Sequence, residues 1–149
     1  TIVLLFSIVL FSFTTHISAA TEAHPQAGQV RAAAFTARTV VHNAGLENVS
    51  ILSDPELTDI YRYYSGLQVI ERGAEELLRS QDFLHVEETL QERDGAFIIV
   101  DPYMRNGAVW QRPDEGLQFV IDHNDDFLRI YDRDGYRIYF YQEWDAQEE

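Results

Sequence analysis

Asp122, Asn124 and Asp126 stand at alternate positions in the segment DHNDDF, which is how the first half of a calcium loop begins. Side-chain oxygens at that spacing can wrap one hard cation. The second half does not follow. Phe127 occupies the position that needs Gly, and Arg133 the position that needs a bidentate Glu. A polar hairpin loop explains the same residues, so a cation here stays an open question. His42, His85 and His123 are far apart and lack HxxxH or HxH spacing, which speaks against a histidine metal site or a catalytic histidine. Ser50, Ser53, Ser65 and Ser80 have no nucleophile-elbow glycines around them. There is no Gly-rich phosphate loop. A glycosidase pair cannot be chosen from 25 Asp and Glu residues. The expectation is a protein that is not an enzyme and holds no cofactor or metal.

Aromatic side chains are the richest feature: Tyr61, Tyr63, Tyr64, Trp110, Tyr131, Tyr136, Tyr139, Tyr141 and Trp144. Together with Arg they can line a ligand pocket or an interface, or simply pack a sheet. Asn48-Val49-Ser50 is a possible glycosylation sequon.

Charge narrows the partners. The chain has 149 residues, 25 acidic and 11 basic, for a net charge of −14. Every basic residue is Arg. Such a balance excludes nucleic acid, whose binding needs a cationic footprint, and disfavours anionic lipid surfaces. It permits cationic partners. With no Cys, there is no disulfide framework and no thiolate chemistry.

The first 21 residues carry no Asp, Glu, Lys or Arg, and Ile2 to Phe13 is nearly continuous apolar sequence. One reading of residues 1–20 is a cleaved signal peptide, with Ser18-Ala19-Ala20 before a cut at Thr21. Another is a retained membrane anchor, since about 20 residues span a bilayer. A third rests on layout: an apolar head, Pro25, the Ala/Arg amphipathic stretch QVRAAAFTARTVV, and a C-terminal sheet. In this the chain resembles a type IV pilin. Leu5 stands where that family has Glu, Thr1 where it has Phe, and the C-terminal cysteine pair is missing. The resemblance implies a helix-anchored filament subunit. Its assembly interface would draw on Leu4, Leu5, Val9, Val30, Ala34 and Ala37.

The elements behind these residues follow from periodicity. Residues 26–41 repeat Val30, Ala33, Ala34, Ala37, Val40 and Val41 at helical spacing, with Asn43 or Gly45 as a left-handed stop. ENVSIL predicts a short strand or extended link. Ser53-Asp54-Pro55 predicts a helix start, with Ser53 or Asp54 as the cap, Pro55 at the first helical position, and Ser53 and Glu56 at capping-box spacing. Leu57, Ile60, Tyr61 and Tyr64 share a face, Gly66 interrupts, and a second helical pattern runs over 67–80. From Phe83 the period reads as two: FLHVEETL, then AFIIV as a central strand, AVWQ, and GLQFVID, FLRIYD and YRIYFYQEW as an antiparallel meander.

Asp134-Gly135 predicts a two-residue hairpin turn. It pairs Asp132 with Arg137, Tyr131 with Ile138, Ile130 with Tyr139, Arg129 with Phe140 and Leu128 with Tyr141. Both faces of that hairpin are then apolar, so both must be covered. The helices of 53–80 can cover one. The other needs the N-terminal helix, a ligand or another subunit, which puts Tyr139 and Tyr141 among the assembly residues.

The sequence thus predicts an α+β fold: an apolar N-terminal helix, one or two further helices, and a C-terminal antiparallel meander of about five strands. Residues 21–149 form one acidic extracytoplasmic domain. Its expected role is a non-enzymatic, helix-anchored structural subunit, a homo-oligomer or part of a larger assembly, membrane-bound through residues 1–20 if these are retained. The alternative is a secreted or periplasmic soluble domain, with its signal cleaved, that binds a small ligand or a partner.

Overall fold

The computed structural model describes residues 26–43, 46, 48–92, 96–112 and 114–141. Leu4, Leu5, Val9 and Trp144 lie outside the described residues, as do the anchor, signal and pilin readings of 1–20. The described chain is α+β, with five α-helices and one five-stranded sheet.

Helix α1 (Ala27–His42) buries Gly28, Gln29, Ala32, Ala33 and Thr36, small residues that let it lie close against the sheet. It ends at Asn43, which is extended rather than left-handed. Strand β1 (Ser50–Leu52) follows, buried throughout. The Asp54 carboxylate then accepts the Glu56 N–H at 3.0 Å, and Pro55 opens a 3-10 turn (Pro55–Leu57) leading into α2 (Thr58–Ser65). The cap is therefore Asp54, not the Ser53–Glu56 box. The expected helical pattern over 67–80 is split. Gln68–Val69 forms strand β2, because the Ile70 N–H finds the Ile51 carbonyl at 2.8 Å, and only Ala74–Arg79 is helix α3.

Two segments expected as strands are helices. In α4 (Phe83–Gln91), Asp82 caps by accepting the Leu84 and His85 N–H groups at 3.1 and 3.4 Å. Val86 and Leu90, four apart, are buried and Phe83 packs beside them, which is helical spacing. In α5 (Gly116–Asp122), Leu117, Val120 and Ile121 face the core. DPYMRNG (101–107), expected as a loop, and AVWQ (108–111), expected as a strand, are otherwise: 102–108 form a helical turn that widens over Met104–Ala108, and 109–111 make no strand.

The remaining strands are β3 (Ala96–Val100), β4 (Phe127–Arg133) and β5 (Tyr136–Tyr141). Sheet order is β2-β1-β3-β5-β4. β1 runs parallel to both β2 and β3, while β5 is antiparallel to β3 and β4. The sheet is mixed, not the expected meander. With residues 83–91 and 116–122 helical, only the last hairpin of that meander persists.

The hairpin turn forms as expected, with Asp134 at φ 55° and Gly135 at φ 83°, the positive pair that a type I′ turn needs. Asp132↔Arg137 and Tyr131↔Ile138 pair as expected. A bulge between Arg129 and Tyr131 then shifts the rest to Arg129↔Tyr139, Leu128↔Phe140 and Phe127↔Tyr141. Phe127 enters the core, and Leu128, expected on a covered face, is 58 % exposed.

Both faces of the sheet are covered by this chain's own helices. Ala32, Ala33 and Tyr61 from α1 and α2 pack on Ile51, Phe97, Ile99 and Ile138. On the opposite face α3, α4 and α5 pack on Leu52, Ile98, Val100, Tyr139 and Tyr141. Tyr139 and Tyr141, expected at an assembly interface, are core residues at 5 % and 1 % exposure. Among the described residues, no helix is long and apolar enough to cross a membrane.

Tyr139→Asp should lower unfolding free energy by at least about 3 kcal/mol in dilute monomer, measured by urea denaturation, because it leaves a charge and a void in the core. Gly28 sits where a Cβ would come within 2.1 Å of Tyr136 Cε2. Gly28→Ala should therefore destabilise by about 1–2 kcal/mol, although Ala favours helix by about 1 kcal/mol, since overpacking outweighs that gain.

Candidate functional site

Two neighbouring parallel strands end in the same way. β1 leads into Ser53-Asp54-Pro55, and β3 into Asp101-Pro102. At each exit the Asp side chain caps the turn that follows, and Pro suits the first helical position. Asp101 Oδ1 accepts the Tyr103 and Met104 N–H groups at 2.7 and 2.9 Å. From β1 the chain goes to α2 on one face; from β3 it goes to α5 on the other. The carboxyl ends of β1 and β3 therefore flank a topological switch point, the place where open sheets of this kind leave a crevice.

The side chains gathered at that edge are polar and buried. Asp101 is 0 % and Asp54 7 % exposed. Tyr61 from α2 is 0 % exposed, and Tyr136 at the start of β5 is 3 % exposed. Tyr136 Oη donates to Gln26 Oε1 at 3.3 Å, and Gln26 Nε2 donates to the Tyr103 hydroxyl, so the start of α1 closes over the edge. Arg105 donates from Nη2 to the Gly135 carbonyl at 2.8 Å.

Three polar atoms in this group are buried without a hydrogen-bond partner among the described residues: Tyr61 Oη, Asp101 Oδ2 and Arg105 Nε. Native interiors leave few such atoms, and each one calls for a water, an ion or a ligand group. Electrostatics tie the set together. Burial pushes the Asp101 carboxyl above the usual carboxylate range, and the charge of Asp54 adds to this. The Met104 and Tyr103 N–H groups and Arg105 pull it partly back. Burial raises the Tyr61 phenol strongly, followed by Asp101, Tyr136 and Asp54. Tyr136 is pushed up to about 12 by burial, then Asp101 and Tyr103, with Arg31 opposing. Both phenols stay protonated in water near neutrality and can donate.

A shallow cleft of about 550 Å3 opens at the carboxyl ends of β1 and β2. Pro55, Glu71, Gly73, Glu75, Glu76 and Arg79 line it. Glu71 pairs with Arg62, and Glu75 with Arg79.

The residues singled out by sequence fall elsewhere. Val30, Ala34 and Ala37 are half-buried on α1. Asn48 is exposed just before β1. The Asp122–Asp126 segment links α5 to β4 instead of joining two strands, with Asp122 Oδ1 accepting Gln118 Nε2 at 2.9 Å and Asn124 Oδ1 accepting the Asp126 N–H at 2.8 Å. Among the described residues, no three His, Cys, Asp or Glu side chains gather as a metal group. Of the aromatic set, Tyr61 and Tyr136 alone among the described residues join the polar cluster. Asp54 drew notice only as a helix cap, and Asp101 none at all. The signal was present as a repeat: ILSDP and IIVDP, an apolar run ending in Asp-Pro.

No protein-family model, no curated protein and no solved structure matches the chain.

Asn caps a turn as well as Asp does, so Asp101→Asn keeps both N–H bonds while removing the buried charge. A carboxyl raised in the folded state contributes stability that is present below its unfolded pKa and lost as pH rises through the folded one. Asp101→Asn should therefore melt at a higher temperature than wild type at pH 7. The gap should close as pH falls toward 4. Melting curves across that range check both parts.

Proposed function

We propose that the chain is a non-enzymatic, extracytoplasmic domain that binds a small ligand at the carboxyl ends of β1 and β3. The observation that carries this reading is the pair Asp101 Oδ2 and Tyr61 Oη, fully buried yet without hydrogen-bond partners among the described residues. Folding alone gives no reason to keep them so, because an unsatisfied buried group costs about 1–3 kcal/mol. The position adds weight, since crevices at switch points are where open sheets take ligands.

The helix-anchored, pilin-like subunit drew on two needs for neighbours. One was an aromatic sheet face in want of cover, and α1 to α5 provide it. The other, the uncharged head of residues 1–20, favours a domain held at or released from a membrane. In this reading the head serves export or tethering, and binding is done by the folded part.

Fragment screening by amide NMR on the full chain tests the proposal. Shifts should cluster at residues 54–56 and 101–105, with the protein monomeric by sedimentation. Concentration-dependent assembly without those shifts would return the structural-subunit reading. Intact mass settles the head: a mature chain starting at Thr21 is released, and one starting at Thr1 is tethered.

A further inference from the structure

We infer that the switch-point site takes an organic monocation, a primary ammonium or similar head group, held by Asp101 and Tyr61. This rests on the binding reading above and names its ligand class.

Asp101 and Asp54 meet one Arg105 at this edge, and Arg105 already gives Nη2 to the Gly135 carbonyl. Arg31, the other cation that reaches Tyr136, is engaged by Asp134 at 2.7 Å. The edge is left one positive charge short. An ammonium supplies that charge and donates hydrogen bonds in a charge-assisted geometry, which is what Asp101 Oδ2 lacks.

Tyr61 fits the same ligand. Its hydroxyl, buried without a partner among the described residues, has a lone pair for an ammonium N–H. A metal ion fits less well, since the described residues hold no group of three metal-binding side chains. The surroundings draw the same class inward. In the cleft lined by Glu71, Glu75 and Glu76, Arg62 and Arg79 pair with the first two and Glu76 is left in excess, and the whole chain is at −14. Such a field concentrates small cations.

The test is an isosteric series on the full chain at 0.15 M salt: n-butylammonium, n-butanol and butyrate, read by amide shifts at residues 54–56 and 101–105. Butylammonium should saturate, and butanol should bind at least about tenfold more weakly, the loss expected for one charged hydrogen bond. Asp101→Asn should lose a similar factor while keeping its fold, and Tyr61→Phe a smaller one. Equal binding of butanol, unchanged binding by Asp101→Asn, or the same saturable shifts from potassium chloride would each overturn the cation assignment. Saturation by butyrate or butanol alone would leave a ligand site standing and remove only its class. No saturable shift from any probe would remove both. Nα-acetyl-lysine amide separates the sources: tighter binding than butylammonium means a partner's lysine, and equal or weaker binding means a free amine.

Discussion

Strand β3 is dry on both faces, and the rest of the molecule is arranged around that fact. All five residues from Ala96 to Val100 are at 0 % exposure. A strand buried this way needs helices above and below and partners on both edges. The partners are β1, parallel, and β5, antiparallel. Right-handed crossovers then decide which helix covers which face. The step from β1 out to β2 places α2 on one side. The return across β1 to β3 places α3 and α4 on the other. The carboxyl end of β3 emerges between two helical layers, where any polar group must be satisfied by protein or by something bound.

Charge plays a smaller part in holding the fold than its abundance suggests. The ion pairs Arg31–Asp134, Arg62–Glu71 and Arg79–Glu75 join exposed side chains. Pairs of that kind contribute at most about 1 kcal/mol each and weaken with salt. Stability rests on the two apolar layers instead. The acidic excess acts outward, on solubility and on the ions and ligands that gather at the surface.

Sequence revealed the parts governed by local chemistry. Asp134-Gly135 forms its turn because Asp-Gly is one of the few pairings that accept two positive φ angles cheaply. AFIIV is a central strand because a continuous apolar run of that length has two faces to bury. Helix α1 follows from the recurrence of Val30, Ala33, Ala34, Ala37, Val40 and Val41, although of these only Ala33 is buried and the face on the sheet is Gly28, Gln29, Ala32, Ala33 and Thr36. The errors came where two periods fit one segment. In FLHVEETL the apolar residues fit alternation and a helix alike; with Asp82 as cap, Phe83, Val86 and Leu90 fall on one helical stripe. GLQFVID fails the same way, with Leu117, Val120 and Ile121 on one face. Mistaking those helices for strands turned a mixed sheet into a meander, hid the parallel pair β1 and β3, and so hid the site. Asp101 is meaningful only once its strand is known to lie beside the one that ends at Asp54. The bulge at Arg129 left no mark in residue type, because Arg129, Ile130 and Tyr131 all suit an ordinary strand.

Asp54 and Asp101 do the same local job, and the difference between them bears on why the site exists. Each accepts a backbone N–H with one oxygen at the start of a turn. A helix cap asks nothing of the second oxygen, and an asparagine would serve. Asp101 nonetheless keeps its second oxygen inside the protein, within the field of Arg105 but not bonded to it, while Arg105 Nε is itself buried and unpaired. A purely structural solution would close that gap, since joining opposite charges in a dry interior relieves both. Here Arg105 is turned toward the Gly135 carbonyl, at the tip of the β4–β5 hairpin, and the second carboxylate oxygen stays buried without a partner among the described residues. The hairpin thereby withholds the cation that would otherwise neutralise Asp101. The carboxylate and the guanidinium are thus held apart at the carboxyl ends of two parallel strands, each with one buried atom left unpaired among the described residues, at the cost in stability that such atoms carry.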